Sequence, residues 1–419
     1  MTNRLARNML KATHLTRAGR LVAATEFLQR VLHGDSPMPS TDDVAGDPVE
    51  VTDSQPSSLV RPAFDFSMSG QPAGGAAIPQ LANSLRGLLE RMKRSGFQVE
   101  PGGPLSRSLT QARDIVPEGG QFLERSYSNH AGGRPYKLYV PRGYRGQAVP
   151  LIVMLHGCTQ SPDDFAAGTR MNEMAEKHTF LVVYPAQVAS ANASKCWNWF
   201  NRNDQQRGYG EPALIAGITR EVMAEYRIDQ KRVYVAGLSA GGAAAAIMGA
   251  TYPDLYAAIG VHSGLACGCA NDLPSAFAAM RSGGVSPVSQ ASWLSKKGHE
   301  QIGANQRALP TIVFHGDQDK MVHPSNGDEI LTQFGSATAE LQTTVESGRV
   351  PSGYSYSRTR RCDASGQAVF EKWVIHGAGH AWSGGSPAGS YTDPLGPDAT
   401  REMFRFFLDQ AHPMAEGSD

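Results

Sequence analysis

The sequence has no stretch approaching the roughly 18 uninterrupted apolar residues that a membrane-spanning helix requires. It also has no net charge, since 39 basic residues balance 39 acidic ones. The first absence argues against a helical membrane span, and the second removes the electrostatic case for a nucleic-acid partner. Cysteine is scarce. Cys158, Cys196, Cys267, Cys269 and Cys362 are five in number, so at least one stays unpaired, and their spacing is unlike that of a small secreted disulfide scaffold. One bridge, Cys158 to Cys196 for example, is compatible with the sequence without being derivable from it. Cys267-Gly268-Cys269 near His262 falls short of the four paired ligands of a zinc site, so no metal is expected. A secretory h-region is missing as well, because charged residues interrupt every apolar run between Met1 and Leu32. The expectation is a cytoplasmic protein, with extracellular action as the alternative.

What the sequence does contain is concentrated between Arg232 and Gly249, RVYVAGLSAGGAAAAIMG. Val233, Tyr234 and Val235 read as a buried strand, and an Ala-rich helix begins at Ala240. Between them, Gly237-Leu238-Ser239-Ala240-Gly241 is a G-x-S-x-G nucleophile elbow, a tight strand-to-helix turn that lifts the serine Oγ above the sheet. Small residues are needed two positions either side because strand and helix approach closely there.

Around this stretch, apolar strands alternate with helices. A hairpin is expected from Phe122–Ser128 and Tyr136–Val140, followed by strand Leu151–Leu155, helix Asp163–Lys177 and strand Phe180–Tyr184. Helix Ala213–Tyr226 leads to the elbow, and strands Ala257–Val261, Thr311–Phe314 and Lys372–Ile375 come after it. The pattern implies an α/β fold, a mostly parallel doubly wound sheet with its site at the carboxyl ends of the strands. Residues 1–33 form a basic amphipathic segment that either docks on the catalytic domain or lies on an anionic or hydrophobic surface. Residues 34–115 read as a low-complexity linker with a short helix, 116–412 as the catalytic domain and 413–419 as a tail.

A serine elbow on such a sheet takes its partners in the chain order Ser, Asp or Glu, His. After Ser239 the strand TIVF delivers Asp317 and Asp319 on one loop, and either could accept an imidazole N–H. Of the later histidines, His323 follows the acid too closely, His376 ends a strand and His412 lies in a polar stretch. His380, in the turn Gly377-Ala378-Gly379-His380, is the expected base. Oxyanion donors are expected from the amides of Ala240, just after the serine, and Cys158, in the loop after strand Leu151–Leu155.

Together LHGCTQ (155–160), CWNWF (196–200), DQKRVYVAGLSAGG (229–242), HSGL (262–265), FHGDQDKMVHP (314–324) and GAGHAWSGG (377–385) resemble the esterase family of poly(3-hydroxybutyrate) depolymerases. The likeness is to the type 1 catalytic domain for short-chain polyhydroxyalkanoates, to which feruloyl and acetylxylan esterases are related. This resemblance implies an α/β-hydrolase with Ser239 as nucleophile, Asp319 as acid, His380 as base, Cys158 and Ala240 as oxyanion donors, and no cofactor. It further implies that Trp197, Trp199 and Trp382 line an ester groove, the alternative being a place in the core. The expected substrate is a polyester or small ester. Without a signal peptide or a separate binding domain after His380, action on intracellular granules is expected, with the N-terminal helix as a granule contact. A feruloyl or acetylxylan esterase, and a granule-associated interaction protein, are the competing readings.

Overall fold

The computed structural model describes residues 115–283, 308–335 and 341–412. The basic segment at 1–33, nearly all of the linker and the tail at 413–419 lie outside the described residues. A hairpin comes first, β1 (Gln121–Asn129) and β2 (Gly132–Val140), closed by the two residues His130 and Ala131, so that Gly132 and Gly133 belong to the strand rather than the turn. Then follow β3 (Val149–Leu155), α1 (Pro162–Thr169), α2 (Met171–His178), β4 (Leu181–Pro185), a 3₁₀ turn (Arg202–Gln205), α3 (Gly210–Glu225), β5 (Ile228–Leu238), α4 (Ala240–Thr251), β6 (Ala258–His262) and α5 (Leu273–Ser282). The remainder is β7 (Thr311–Gly316), α6 (Ser325–Gly335), β8 (Gln342–Arg349), β9 (Ser355–Cys362), β10 (Ala368–His376), the short β11 (Trp382–Ser383) and β12 (Thr392–Asp393), and α7 (Ala399–Leu408).

Ten strands form one sheet in the order β1-β2-β4-β3-β5-β6-β7-β10-β9-β8. The six from β4 to β10 run parallel, and an antiparallel hairpin flanks each side. Both faces are covered, as a parallel sheet requires. The period of two in β5 is visible in its packing. Val233 and Val235 join one core with α3, α4 and Ile330 of α6, whereas Tyr234, Ala236 and Leu238 join the other with Phe165, Met171, Phe404 and Phe407. The Tyr234 and Phe407 rings stack with centroids 4.8 Å apart. This is the doubly wound α/β architecture read from the sequence. Strand order reverses at β3, which has β4 on one side and β5 on the other. The crevice above that switch point is where such sheets hold their ligands.

The expected single helix 163–177 is two helices. Arg170 takes a left-handed conformation at φ 55°, ending α1 and opening α2. The break lets its guanidinium donate to the Gly384 carbonyl at 3.1 Å and approach Asp398 at 3.7 Å, tying α1 to the loop after β11. The stretch past residue 396, which offers little strand or turn signal, holds α7. Its N-cap Asp398 accepts the Arg401 amide.

Candidate active site

Ser239 stands at the turn between β5 and α4 with φ 58° and ψ −119°, a backbone state that side chains rarely adopt and that a rigid surround must hold. That surround is tight. A Cβ on Gly237 would sit 2.3 Å from the Gly241 carbonyl oxygen, and one on Gly241 would sit 2.0 Å from that of Leu155. Hence only glycine fits at either position. The Ser239 amide donates to the His262 carbonyl at 2.9 Å, and its own carbonyl accepts the Ala243 amide at 2.9 Å, so the elbow is fixed from β6 and from within α4.

The loops after β7 and β10, which are the second and third strands from β5, meet at the same end of the sheet. His380 Nδ1 lies 2.7 Å from Asp319 Oδ2, both groups being buried. Asp319 Oδ1 accepts the amides of Met321 and Val322 at 2.8 and 2.9 Å. Burial alone would raise the Asp319 carboxyl; the charge of His380 and the hydrogen bonds from His315 and His380 outweigh it and hold the group far below the ordinary carboxylate range. An ionised acid therefore faces the imidazole N–H, which leaves Nε2 as the proton acceptor. Among the described residues no hydrogen bond joins Ser239 Oγ to His380.

Asp317, the other aspartate of the loop, makes a separate pair. Its Oδ2 lies 3.0 Å from His376 Nδ1, its Oδ1 accepts the Gly377 amide at 2.8 Å, and His376 Nε2 lies 2.8 Å from Ser357 Oγ. Of the two candidate acids, Asp319 meets His380 and Asp317 meets the end of β10. The remaining histidines lie elsewhere: the His323 amide donates to the Met280 carbonyl, and the His412 amide to that of Lys231.

The loop after β3 lies against the elbow, with a Cβ built on Gly157 coming within 3.7 Å of the Ser239 Cβ. Its Gly157 amide is taken by Gln160 Oε1 at 2.8 Å and its Thr159 amide by the Ser194 carbonyl at 2.7 Å. The Cys158 amide, between them, has no acceptor among the described residues, nor has the Ala240 amide, which opens α4. Cys158 is bridged to Cys196, the pairing that the sequence left open.

The expected aromatic groove is corrected. Trp197 and Trp382 are 0% and 1% exposed and Trp199 is 7%, so none offers a ring face to a polymer. Trp197 donates to the His156 carbonyl at 3.1 Å, and Trp382 donates to Thr400 Oγ1 at 3.0 Å while stacking on His262. Burial against loop backbones has claimed them as supports for the site.

Two histidines were given no place in the catalytic site by the sequence reading. His315 Nε2 lies 3.4 Å behind Asp319 Oδ2 and 2.9 Å from the Val322 carbonyl oxygen. His262 ends β6; its ring Nε2 accepts the Ser383 amide at 3.0 Å, joining the strand beside the elbow to the loop after His380. Burial first, then the nearby His315 and His380, keeps its pKa well below the ordinary histidine value, so it stays a neutral acceptor. A histidine at or next to the end of a fully buried parallel strand was the available signal in both cases.

Residues 134–348 match the family model described as Esterase PHB depolymerase. Poly(3-hydroxyalkanoate) depolymerase C of Paucimonas lemoignei is 35% identical over 257 residues, covering 61% of this chain and 60% of that protein, so this chain spans less than two thirds of that relative. A probable acetylxylan esterase A of Aspergillus clavatus is 30% identical over 57% of this chain and 77% of its own. Feruloyl esterase B of Thermothelomyces thermophilus is also 30% identical, over 48% and 70%. Among solved structures, an acetyl xylan esterase from Aspergillus awamori aligns at TM-score 0.53 and 21% identity over 69% of this chain and 99% of that one, a likeness of fold. With its elbow, the paired Asp319 and His380 loops and a family match over half its length, this chain belongs to the esterase PHB depolymerase family.

Proposed function

We propose that the protein is a serine carboxylic-ester hydrolase that cleaves poly(3-hydroxybutyrate) or related short-chain polyhydroxyalkanoates and their oligomers through an acyl-enzyme. The observation that carries the reading is the buried Asp319–His380 pair, 2.7 Å apart, on loops that follow β7 and β10, two and three strands along the sheet from the Ser239 strand. In this reading His380 Nε2 takes the Ser239 proton as Oγ attacks the ester carbonyl. The oxyanion is held by the Cys158 and Ala240 amides. Collapse of the tetrahedral intermediate expels the alcohol, which receives the proton from His380. Water, deprotonated by the same imidazole, then attacks the acyl-enzyme and releases the hydroxyacid and free Ser239. The steps use the Ser239, His380 and Asp319 side chains, the two main-chain amides and one water.

A second reading, an esterase acting on acetyl or feruloyl esters of plant polymers, shares all of these groups and is favoured by the two 30% identical relatives of those names. Turnover by the wild type and Ser239→Ala on amorphous poly(3-hydroxybutyrate), a 3-hydroxybutyrate dimer and methyl ferulate separates the two. Serine-dependent clearing of the polymer is expected, with the variant slower by about 10⁶-fold. Hydrolysis of ferulate alone would overturn the polymer assignment, and turnover independent of Ser239 would overturn the site. For location, the Cys158–Cys196 bridge supports an oxidising compartment over the cytoplasm. No helix among the described residues is long and apolar enough to cross a membrane. A polyester surface, in such a compartment that of polymer outside the cytoplasm rather than of an intracellular granule, is the proposed contact of the basic N-terminal segment.

A further inference from the structure

Behind the Cys158 loop lies a carboxylate that the mechanism does not use. Glu211, in the first turn of α3, is 4% exposed. Its Oε2 accepts the Asn198 amide at 2.7 Å, and its Oε1 accepts Asn198 Nδ2 at 2.8 Å together with Gln187 Nε2. Gln187 extends the array in two directions. Its Nε2 also donates to the Cys196 carbonyl at 2.9 Å, and its amide donates to His156 Nε2 at 3.0 Å. His156, held neutral by burial, which lowers its pKa to about 4, directs Nδ1–H at the Gly157 carbonyl, 2.8 Å away. From Glu211, therefore, one branch reaches Gly157 and the other Cys196, the residues on either side of Cys158 along the main chain and across the bridge.

We propose that Glu211 is a positioning residue for ester hydrolysis, whose carboxylate clamps both supports of the Cys158 loop and so fixes the direction of the Cys158 amide. The inference rests on the reading of that amide as an oxyanion donor. A buried carboxylate is expensive, and an apolar side chain of similar volume would serve packing as well or better. Here it supplies what an apolar group cannot, a rigid acceptor for three converging donors. Charged and titratable groups press on it from several elements. Burial first and then Asp204, whose Oδ1 accepts the Glu211 amide, push its pKa up to about 7, while the Asn198 and Gln187 bonds and Arg134 of β2, 3.5 Å away, pull the other way. Protonation would put a hydrogen where donors already point and loosen the clamp on the acid side.

The test is steady-state kinetics on p-nitrophenyl butyrate, with inhibition by butylboronic acid, which a serine nucleophile converts into a tetrahedral transition-state mimic. Glu211→Gln turns one acceptor into a donor facing the Asn198 amide. Its kcat is expected to fall by about 10- to 100-fold, as for a small misplacement of a catalytic group, with KM within about threefold. Boronate affinity should weaken in step with kcat, and the wild type should lose kcat below about pH 7 through an ionisation that the variant lacks. Asn198→Ala, on the partly exposed loop, removes one donor and should fall between the two; it carries the test if Glu211→Gln does not fold. A kcat within twofold of wild type, or a lower kcat with unchanged boronate affinity, would overturn the proposal. Ser239→Ala in the same assay separates the layers. If it is inactive while Glu211→Gln is normal, only the Glu211 proposal fails; if it retains turnover, the reading of the site fails and takes the proposal with it.

Discussion

His156 and Glu211 are linked through one glutamine, and their titrations act on stability with opposite signs. His156 has its pKa depressed from 6.5 to about 4, so the unfolded chain takes up that proton first as pH falls; stability present above pH 6.5 is lost on the way to 4. Glu211 has its pKa raised from 4.5 to about 7, so the unfolded chain ionises first as pH rises; stability present below pH 4.5 is lost on the way to 7. Moving a pKa from 6.5 to about 4, or from 4.5 to about 7, corresponds to about 3 kcal/mol, and between pH 4.5 and 6.5 the two slopes offset one another. Urea midpoints of the wild type should thus be nearly flat across that window, whereas Glu211→Gln should gain stability steadily with rising pH. Parallel slopes in the two proteins would show that one of these groups is not buried as described. The acid side of Asp319 falls below this window, since its pKa is lowered from 3.8. At this scale the sequence was legible where chemistry dictates a local pattern. Gly237 and Gly241 announce Ser239, but nothing near Glu211 in the chain shows that Gln187 and Asn198 will converge on it.

Among elements, the loop from β4 to α3 is tied to the loop after β3 by the Cys158–Cys196 bridge, which closes a separation of 38 residues. A cross-link of that span contributes about 4 kcal/mol in the chain-entropy account. Cys196→Ser leaves the Cys158 amide in place but frees its loop, and should lower both the urea midpoint and kcat. An unchanged kcat would mean that hydrogen bonds alone hold that loop. Parallel strands β3, β4, β5, β6 and β7 were readable because burial on both faces writes continuous apolar runs. The β8–β9 hairpin was not, because β8, QTTVESGR, is exposed along almost its whole length and carries no alternation. The aromatic loop misled for the converse reason. Ring area suits a polyester chain and a protein core equally, and Trp197 and Trp382 spend it on the core.

For the molecule as a whole, the described residues contain every group of the proposed site, from Gly157 to Ser383, so hydrolysis of a soluble ester should not need what precedes them. Removing residues 1–114 is expected to leave turnover of p-nitrophenyl butyrate within about twofold while reducing association with amorphous polymer granules, measured by co-sedimentation. Loss of soluble-ester turnover would instead give the segment a structural role. The strand signal begins at Phe122 and the family match at residue 134. Between residues 34 and 115 a stretch rich in Ser, Pro, Gly and Asp carries little periodicity to read.

The buried tryptophans have an optical consequence. Four of the five in the chain lie in the described core, at 197, 199, 373 and 382. Trp197 sits with its ring centroid 5.6 Å from that of His156, Trp382 lies 5.2 Å from His262, and Trp373 lies 5.3 Å from Phe314, which stacks in turn on His262. The fluorescence of these four is therefore gathered around the candidate site. Light emitted from them reports on whether the loops packed about the elbow are intact.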